Sequence, residues 1–141
     1  MRREITGFSN PLLKEIRGLR AKQLRKRAGL FLAEGLRIMT EAREAGFLPE
    51  MLFRVKDRQL HDLEVTLEAE VLDNGGDVIE TSADIMAKLS GKDNAQTVVG
   101  VYRDHGTALG DLDRSTAPIW LVAQSMRDPG NLGTMLRTGD A

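Results

Sequence analysis

The apolar positions of this chain alternate between short continuous runs, as in strands, and spaced sets, as along one face of a helix. Leu12, Leu13, Ile16 and Leu19 recur at helical spacing. Ser9-Asn10 and then Pro11 put a capping side chain and a proline where a helix begins, which predicts a short first helix. Residues 30–33 read as a strand, and Ile38, Met39, Ala42 and Ala45 then share a face of a helix stopped by Gly46. Met51, Leu52, Phe53 and Val55 predict another strand. Asp57 is placed to cap a helix that buries Leu60, Leu63, Leu67 and Val71 and ends at Gly75-Gly76. Val78-Ile79 form a brief strand; Thr81 with Asp84 has the look of a capping box for a helix containing Ile85, Met86 and Leu89, with Gly91 as its stop. Residues 96–102, QTVVGVY, carry the clearest strand signal, because β-branched residues dominate.

This alternation predicts an α/β domain over residues 9–103, with helices covering a sheet. Residues 104–117 are polar and aperiodic and read as a linker. The apolar run IWLVA at 119–123 then predicts a strand covered on both faces. Pro129 and Gly130 predict a sharp turn with Gly130 at positive φ, and Asn131 is a good N-cap for a helix that puts Leu132, Met135 and Leu136 on one face. Gly130, Gly133, Thr134 and Arg137 fall largely on the other. Gly133, one turn before Arg137, leaves the space beside the guanidinium unobstructed.

Composition narrows the chemistry. The 141 residues are 41% hydrophobic, enough for a core of useful size, but only 4% aromatic, so base stacking has few candidates. With no Cys there is no disulfide or thiol chemistry, and two isolated His residues do not suggest a metal centre. No apolar segment approaches the roughly 20 residues that span a bilayer; a soluble, cytoplasmic protein is expected. The net charge of -1 conceals a division: residues 1–30 hold nine Lys or Arg against Glu4 and Glu15, a balance of +7, and the rest of the chain carries -8. The run Lys14, Arg17, Arg20, Lys22, Arg25, Lys26 and Arg27 is either a solvated face or a patch for phosphates. Residues 59–87 hold eight acidic side chains and no Lys or Arg, a surface expected to repel nucleic acid.

Two stretches together resemble the SpoU/TrmH class of RNA ribose 2′-O-methyltransferases (SPOUT class). NPLLKEIRGL, FLAEGLRIMTEA and IMAKLSGKDNAQTVVGVY are similar to the substrate-binding domain of that family, whose fold is like that of ribosomal protein L30e. DPGNLGTMLRTGDA is similar to its first catalytic motif, an Asn followed six residues later by an Arg, here Asn131 and Arg137. The resemblance covers nearly the whole chain. It implies an L30e-like RNA-binding domain at 9–103, a linker at 104–117, and at 118–141 the first strand and helix start of a truncated methyltransferase domain. It also implies S-adenosylmethionine as methyl donor, bound in a C-terminal trefoil knot, so that no cofactor-binding residue is expected in this fragment and the fragment alone is expected to be inactive. A homodimer is implied for the full-length protein, with rRNA or tRNA as substrate.

Methyl transfer to a ribose needs the 2′-oxygen activated, aligned and kept from water. The resemblance places Arg137 near the target ribose, either helping to remove the hydroxyl proton or fixing the adjacent phosphate. A guanidinium pKa above about 12 makes the second role less demanding. Asn131 is either a simple cap or an amide that orients the substrate or Arg137. RNA would be recruited through Lys14, Arg17, Arg20, Arg25 and Arg27. Glu34 reads as an ordinary loop carboxylate or a partner for a basic residue, His61 and His105 as surface residues, and Asp128 as the acceptor of a turn hydrogen bond. The alternatives are a noncatalytic structured-RNA-binding module and, more remotely, a nucleotide-binding α/β protein, for which no GxGxxG or Walker pattern is present.

Overall fold

A computed structural model describes residues 1–90, 96–106 and 108–140. The chain divides into two units, Met1–His105 and Gly106–Ala141.

The first unit opens with a strand that hydropathy does not announce, β1 (Arg2–Ile5). Three of its four residues are charged and exposed, and only Ile5 is buried. In α1 (Pro11–Gly18) the Asn10 side chain accepts the Leu12 N–H at 2.9 Å, as the cap signal predicts, and Leu13, Ile16 and Leu19 are buried. The basic run that follows forms a second helix, α2 (Lys22–Ala28), which has no buried residue and closes on Gly29 in the left-handed conformation, φ 63°. Next come β2 (Leu30–Glu34), α3 (Leu36–Glu44), β3 (Met51–Val55), α4 (Asp62–Asp73), β4 (Asp77–Thr81), α5 (Ala83–Leu89) and β5 (Val98–Arg103). Gly91, the expected stop of α5, lies outside the described residues.

The strands form one mixed sheet in the order β1-β4-β3-β5-β2, with β1, β4 and β3 parallel and β5 antiparallel to both β3 and β2. Side chains alternate across it. Phe53, Ile79, Val99 and Val101 pack on one face with Leu13, Ile16, Ile85, Met86 and Leu89 of α1 and α5. Leu52, Val78, Val98 and Tyr102 pack on the other with Met39, Leu67 and Val71 of α3 and α4. Tight packing on this second face accounts for Gly100, where a Cβ would come 2.7 Å from the Tyr102 ring and 2.8 Å from the Met39 sulfur.

Several local expectations shift for identifiable reasons. Asp57 does not cap α4; it takes φ 55° in the preceding loop. The helix starts later, capped by His61, whose Nδ1 accepts the Leu63 N–H at 3.2 Å. Its buried face is also rotated, leaving Leu63 41% exposed while Glu64 is 2% exposed and Glu68, Leu67 and Val71 point inward. Arginines from neighbouring elements make this possible. Arg58 Nη1 donates to Glu64 at 3.0 Å, Arg54 Nε lies 2.7 Å from Glu68, Arg2 donates to Glu68 at 3.0 Å, and Arg54 donates to Glu80 at 2.5 Å. Buried carboxylates are tolerated when such partners are in place. For α5 the cap is Ser82, whose Oγ accepts the Ile85 N–H at 3.3 Å, and Thr81 remains in β4. On α3 the buried stripe narrows to Met39, with Ala42 half-buried and Ile38 and Ala45 exposed; the helix covers the edge strand β2, so little sheet extends beneath it. Gly46, at φ 84°, follows the helix end as expected.

The second unit contains two short 3₁₀ turns, Leu109–Asp111 and Arg114–Thr116, and one helix, α6 (Pro129–Asp140). Residues 119–123 form no strand, and Ile119 and Val122 are 85% and 87% exposed. A strand exists only through a ladder with a partner, and none is present for this run among the described residues. No described residue of this unit is buried. No helix among the described residues is long and apolar enough to cross a membrane.

Candidate functional site

The cationic face of the first unit is built by α1 and α2. Because Leu13, Ile16 and Leu19 turn α1 toward the sheet, Lys14 and Arg17 point away from it. The two helices meet at a tight turn and enclose a groove of about 470 Å³ lined by Pro11, Lys14, Leu19, Leu24 and Arg27. Glu15 also borders it.

The five predicted RNA-binding residues separate into two groups. Lys14, Arg17 and Arg27 are exposed and make no ion pair among the described residues, as is also true of Lys22 and Lys26. Arg20 and Arg25 are tied to backbone. Arg25 donates to the carbonyls of Leu19 at 3.1 Å and Arg20 at 2.6 Å, closing the turn between the helices. Arg20 donates to the Leu89 carbonyl at the end of α5. Both therefore hold the platform together, although Arg20 also presents its charge to solvent. One cation was overlooked in the sequence: Lys88 of α5 lies 3.7 Å from the Phe8 ring centroid and lines the same recess as Arg17. Eighty positions separate Lys88 from Phe8, so no local pattern could join them.

The acidic stretch at 59–87 is less repellent than its composition suggests. Glu64, Glu68 and Glu80 are paired with Arg58, Arg54 and Arg2 as described, Glu70 pairs with Arg43 at 2.8 Å, and Asp77 with Arg3 at 2.6 Å. Burial raises the Glu68 carboxyl above its ordinary range, against the opposing pull of Arg54 and then Arg2. Glu34 is not a loop carboxylate: it sits at the end of β2 and accepts the Ser90 hydroxyl at 2.7 Å. Next to it Gly35 takes φ 104°, with the Gln96 side chain close by.

In the second unit the helix begins earlier than the sequence suggests. Asp128 Oδ1 accepts the Gly130 N–H at 2.8 Å and the Asp128 carbonyl accepts the Leu132 N–H at 3.2 Å, so Asp128 caps α6. Pro129 occupies the first helical position, where its missing N–H costs nothing. Asn131 is consequently inside the first turn and is not the cap, and Gly130 is helical, without positive φ. Arg137 folds back along its own helix, donating to Thr134 Oγ1 at 3.3 Å. A Cβ at Gly133 would lie 3.3 Å from its Nη1, so the guanidinium itself packs over the glycine and occupies the space expected to stay open beside it. Asn131 and Arg137, six residues apart, are separated by roughly 9 Å along the axis and about 120° around it. The helix displays both to solvent but does not join them. Its apolar stripe is likewise uncovered, with Met135 and Leu136 exposed.

A family described as the MRM3-like substrate binding domain matches residues 10–100. The 23S rRNA (guanosine(2553)-2′-O)-methyltransferase RlmP of Bacillus subtilis is 29% identical over 140 residues, which is 99% of this chain and 51% of that protein. Among solved structures, an AdoMet-bound rRNA methyltransferase from Sinorhizobium meliloti aligns with a TM-score of 0.76 at 28% identity, over 99% of this chain and 51% of that one. An RNA 2′-O ribose methyltransferase aligns with a TM-score of 0.74 at 31% identity, over 99% and 52%. The chain thus spans about half the length of these three relatives.

Proposed function

The chain belongs to the MRM3-like substrate-binding-domain family, its homologues being SpoU/TrmH-type rRNA 2′-O-methyltransferases, and we propose that it supplies RNA binding and part of the catalytic site of an S-adenosylmethionine-dependent RNA ribose 2′-O-methyltransferase. The observation that carries this reading is the unneutralised cationic face of α1 and α2, within the stretch matched by a substrate-binding domain. The fold is read as L30e-like over 9–103, with rRNA or tRNA as substrate and a cytoplasmic homodimer as the working form. Lys14, Arg17 and Arg27 contact phosphates directly. Arg20 and Arg25 support them by fixing the angle between the helices.

When bound, S-adenosylmethionine supplies an electrophilic methyl group on a sulfonium. The residues of α6 are read as contributing to the substrate side of the site and not to the methyl-donor pocket. What they offer is a polar face. Arg137, whose guanidinium lies over Gly133 and is exposed, can hold the phosphate next to the target ribose through two parallel N–H donors. Asn131, a turn and a half away, is suited to orient the substrate from a neighbouring position. These roles remain with a longer protein that carries the methyl-donor site, and the present chain alone is expected to be inactive.

The test has two parts. Binding of the 141-residue chain to structured rRNA fragments should weaken as salt rises, and neutralising Lys14, Arg17 and Arg27 together should flatten the slope of log K against log[salt] by about 2 to 3. An unchanged slope rejects the patch. In the longer protein, Arg137→Ala should lose methyl incorporation by on the order of a hundredfold while RNA affinity holds; full activity rejects the site. The exposed, unburied second unit favours one competing reading, a noncatalytic RNA-binding module. RNA binding without methyl incorporation in the longer protein would select it.

A further inference from the structure

A second concavity lies on the opposite face of the sheet from α1 and α5. Phe31 of β2 and Tyr102 of β5 are cross-strand partners, and their rings stack with centroids 5.7 Å apart and planes 21° from parallel. Beside them Phe47 and His105 approach with centroids 6.1 Å apart. With Ile38 and Leu48 these rings line a cleft of about 370 Å³, a size in the range of small-molecule sites. Three of the six Phe, Tyr and Trp residues of the chain are gathered here. The scarcity of aromatics in the composition therefore hides their concentration at one place.

Two features show that this is more than an uncovered apolar edge. Tyr102 is only 5% exposed, yet its hydroxyl has no hydrogen-bond partner among the described residues. A buried donor left without an acceptor is costly, and an apolar side chain entering the cleft would leave it so. The charge at the rim is also balanced, because Arg103 Nε donates to Glu50 at 2.6 Å. The lining thus suits a flat, uncharged ring that carries an acceptor atom better than it suits a phosphate. Its location agrees. Phe31 follows the end of α2 by three residues, roughly 10 Å of extended chain, so the edge strand β2 separates the cleft from the cationic helices.

We propose that the cleft receives one unstacked nucleobase of the bound RNA, stacked against Phe31 or Phe47, with a base carbonyl or ring nitrogen accepting from Tyr102. This rests on the RNA reading of the preceding section and adds a base-contacting site to a phosphate-contacting one. Stacking on aromatic side chains is tolerant of base identity, so the pocket selects a nucleotide that can leave its helix, in keeping with how proteins address looped RNA.

The experiment measures the 141-residue chain and three variants against a looped rRNA fragment and against the four nucleoside 5′-monophosphates. Phe47→Ala removes an exposed wall, and Tyr102→Phe removes only the hydroxyl. Lys14→Gln in combination with Arg27→Gln weakens the cationic face. Expected are a roughly tenfold loss of RNA affinity for Phe47→Ala and a several-fold loss for Tyr102→Phe, both with the salt slope of the parent. Saturable mononucleotide-induced shifts of the Phe31, Phe47 and Tyr102 ring resonances should persist in the Lys14/Arg27 variant. Parental RNA affinity in both ring variants overturns the inference. So does self-association that Phe47→Ala abolishes without any change in RNA affinity, since the cleft would then be an interface between copies. If the parent binds no RNA, the proposed function fails separately, and the ring shifts alone decide the inference: present, they uphold a base site; absent, they end it.

Discussion

Gly100 and Tyr102 illustrate how much one position on the sheet can control. Gly100 faces the tight side of the sheet, and a Cβ there meets the Tyr102 ring and the Met39 sulfur at distances that ordinary packing does not allow. Gly100→Ala should therefore destabilise the chain by about 1–3 kcal/mol, measured as a shift of the urea midpoint at constant slope. Tyr102 is the only tyrosine, and burial pushes its hydroxyl up to about 12. The folded chain thus keeps this proton longer than the unfolded chain, whose tyrosine titrates near 10. The stabilising contribution is fully present below pH 10 and is lost as pH rises through about 12. Titration of the phenolate absorbance should show ionisation near 12 in the native protein and near 10 in denaturant. A native midpoint near 10 would mean that the hydroxyl is solvated.

At the scale of elements, the contact between α4 and the sheet depends on charge as well as on hydrophobic area. Glu64 and Glu68 fill inward positions where apolar residues would be expected, and Arg54 of β3 reaches both Glu68 and Glu80. Arg54→Met should cost about 3–5 kcal/mol, because it leaves Glu68 buried with only the half-exposed Arg2 beside it. Adding Glu68→Leu to that variant should recover much of the loss. If the single variant denatures like the parent, the network is not a structural support. The same charges explain why periodicity misplaced the face of α4: an apolar template reads Leu63 as inward, whereas paired carboxylates one turn apart can hold that place. In α6 an opposite limit operates, since its cap, stripe and polar face are all local features and all form while the stripe stays exposed.

For the whole molecule, every buried residue among those described belongs to the first unit. Chain 1–105 should consequently fold with a stability within about 0.5 kcal/mol of the 141-residue chain, as expected when only exposed residues are removed. Chemical denaturation of the two forms checks this, and failure of the shorter form to fold would show that the second unit supplies needed contacts. The three relatives compared above are about twice as long as this chain. The cationic face and the aromatic cleft can both be tested on this chain.

Where the controlling physics was local, the sequence alone was sufficient. The Asn10 cap, the glycine stop at Gly46, the strands β2, β3, β4 and β5 and the cationic segment all follow from dihedral preference, short-range hydrogen bonding and periodicity. The motif around Asn131 and Arg137 was likewise visible as residues in order, although the cap proved to be Asp128. Tertiary structure decided whatever depended on partners distant in the chain. It paired the charged strand β1 with β4, left residues 119–123 without a ladder, and turned acidic residues of α4 inward against arginines. It also committed Arg20 and Arg25 to backbone carbonyls and assembled Phe31, Phe47 and Tyr102 around one cleft. Each of these outcomes trades desolvation against a contact that exists only once the chain has folded, and no window of neighbouring residues contains that balance.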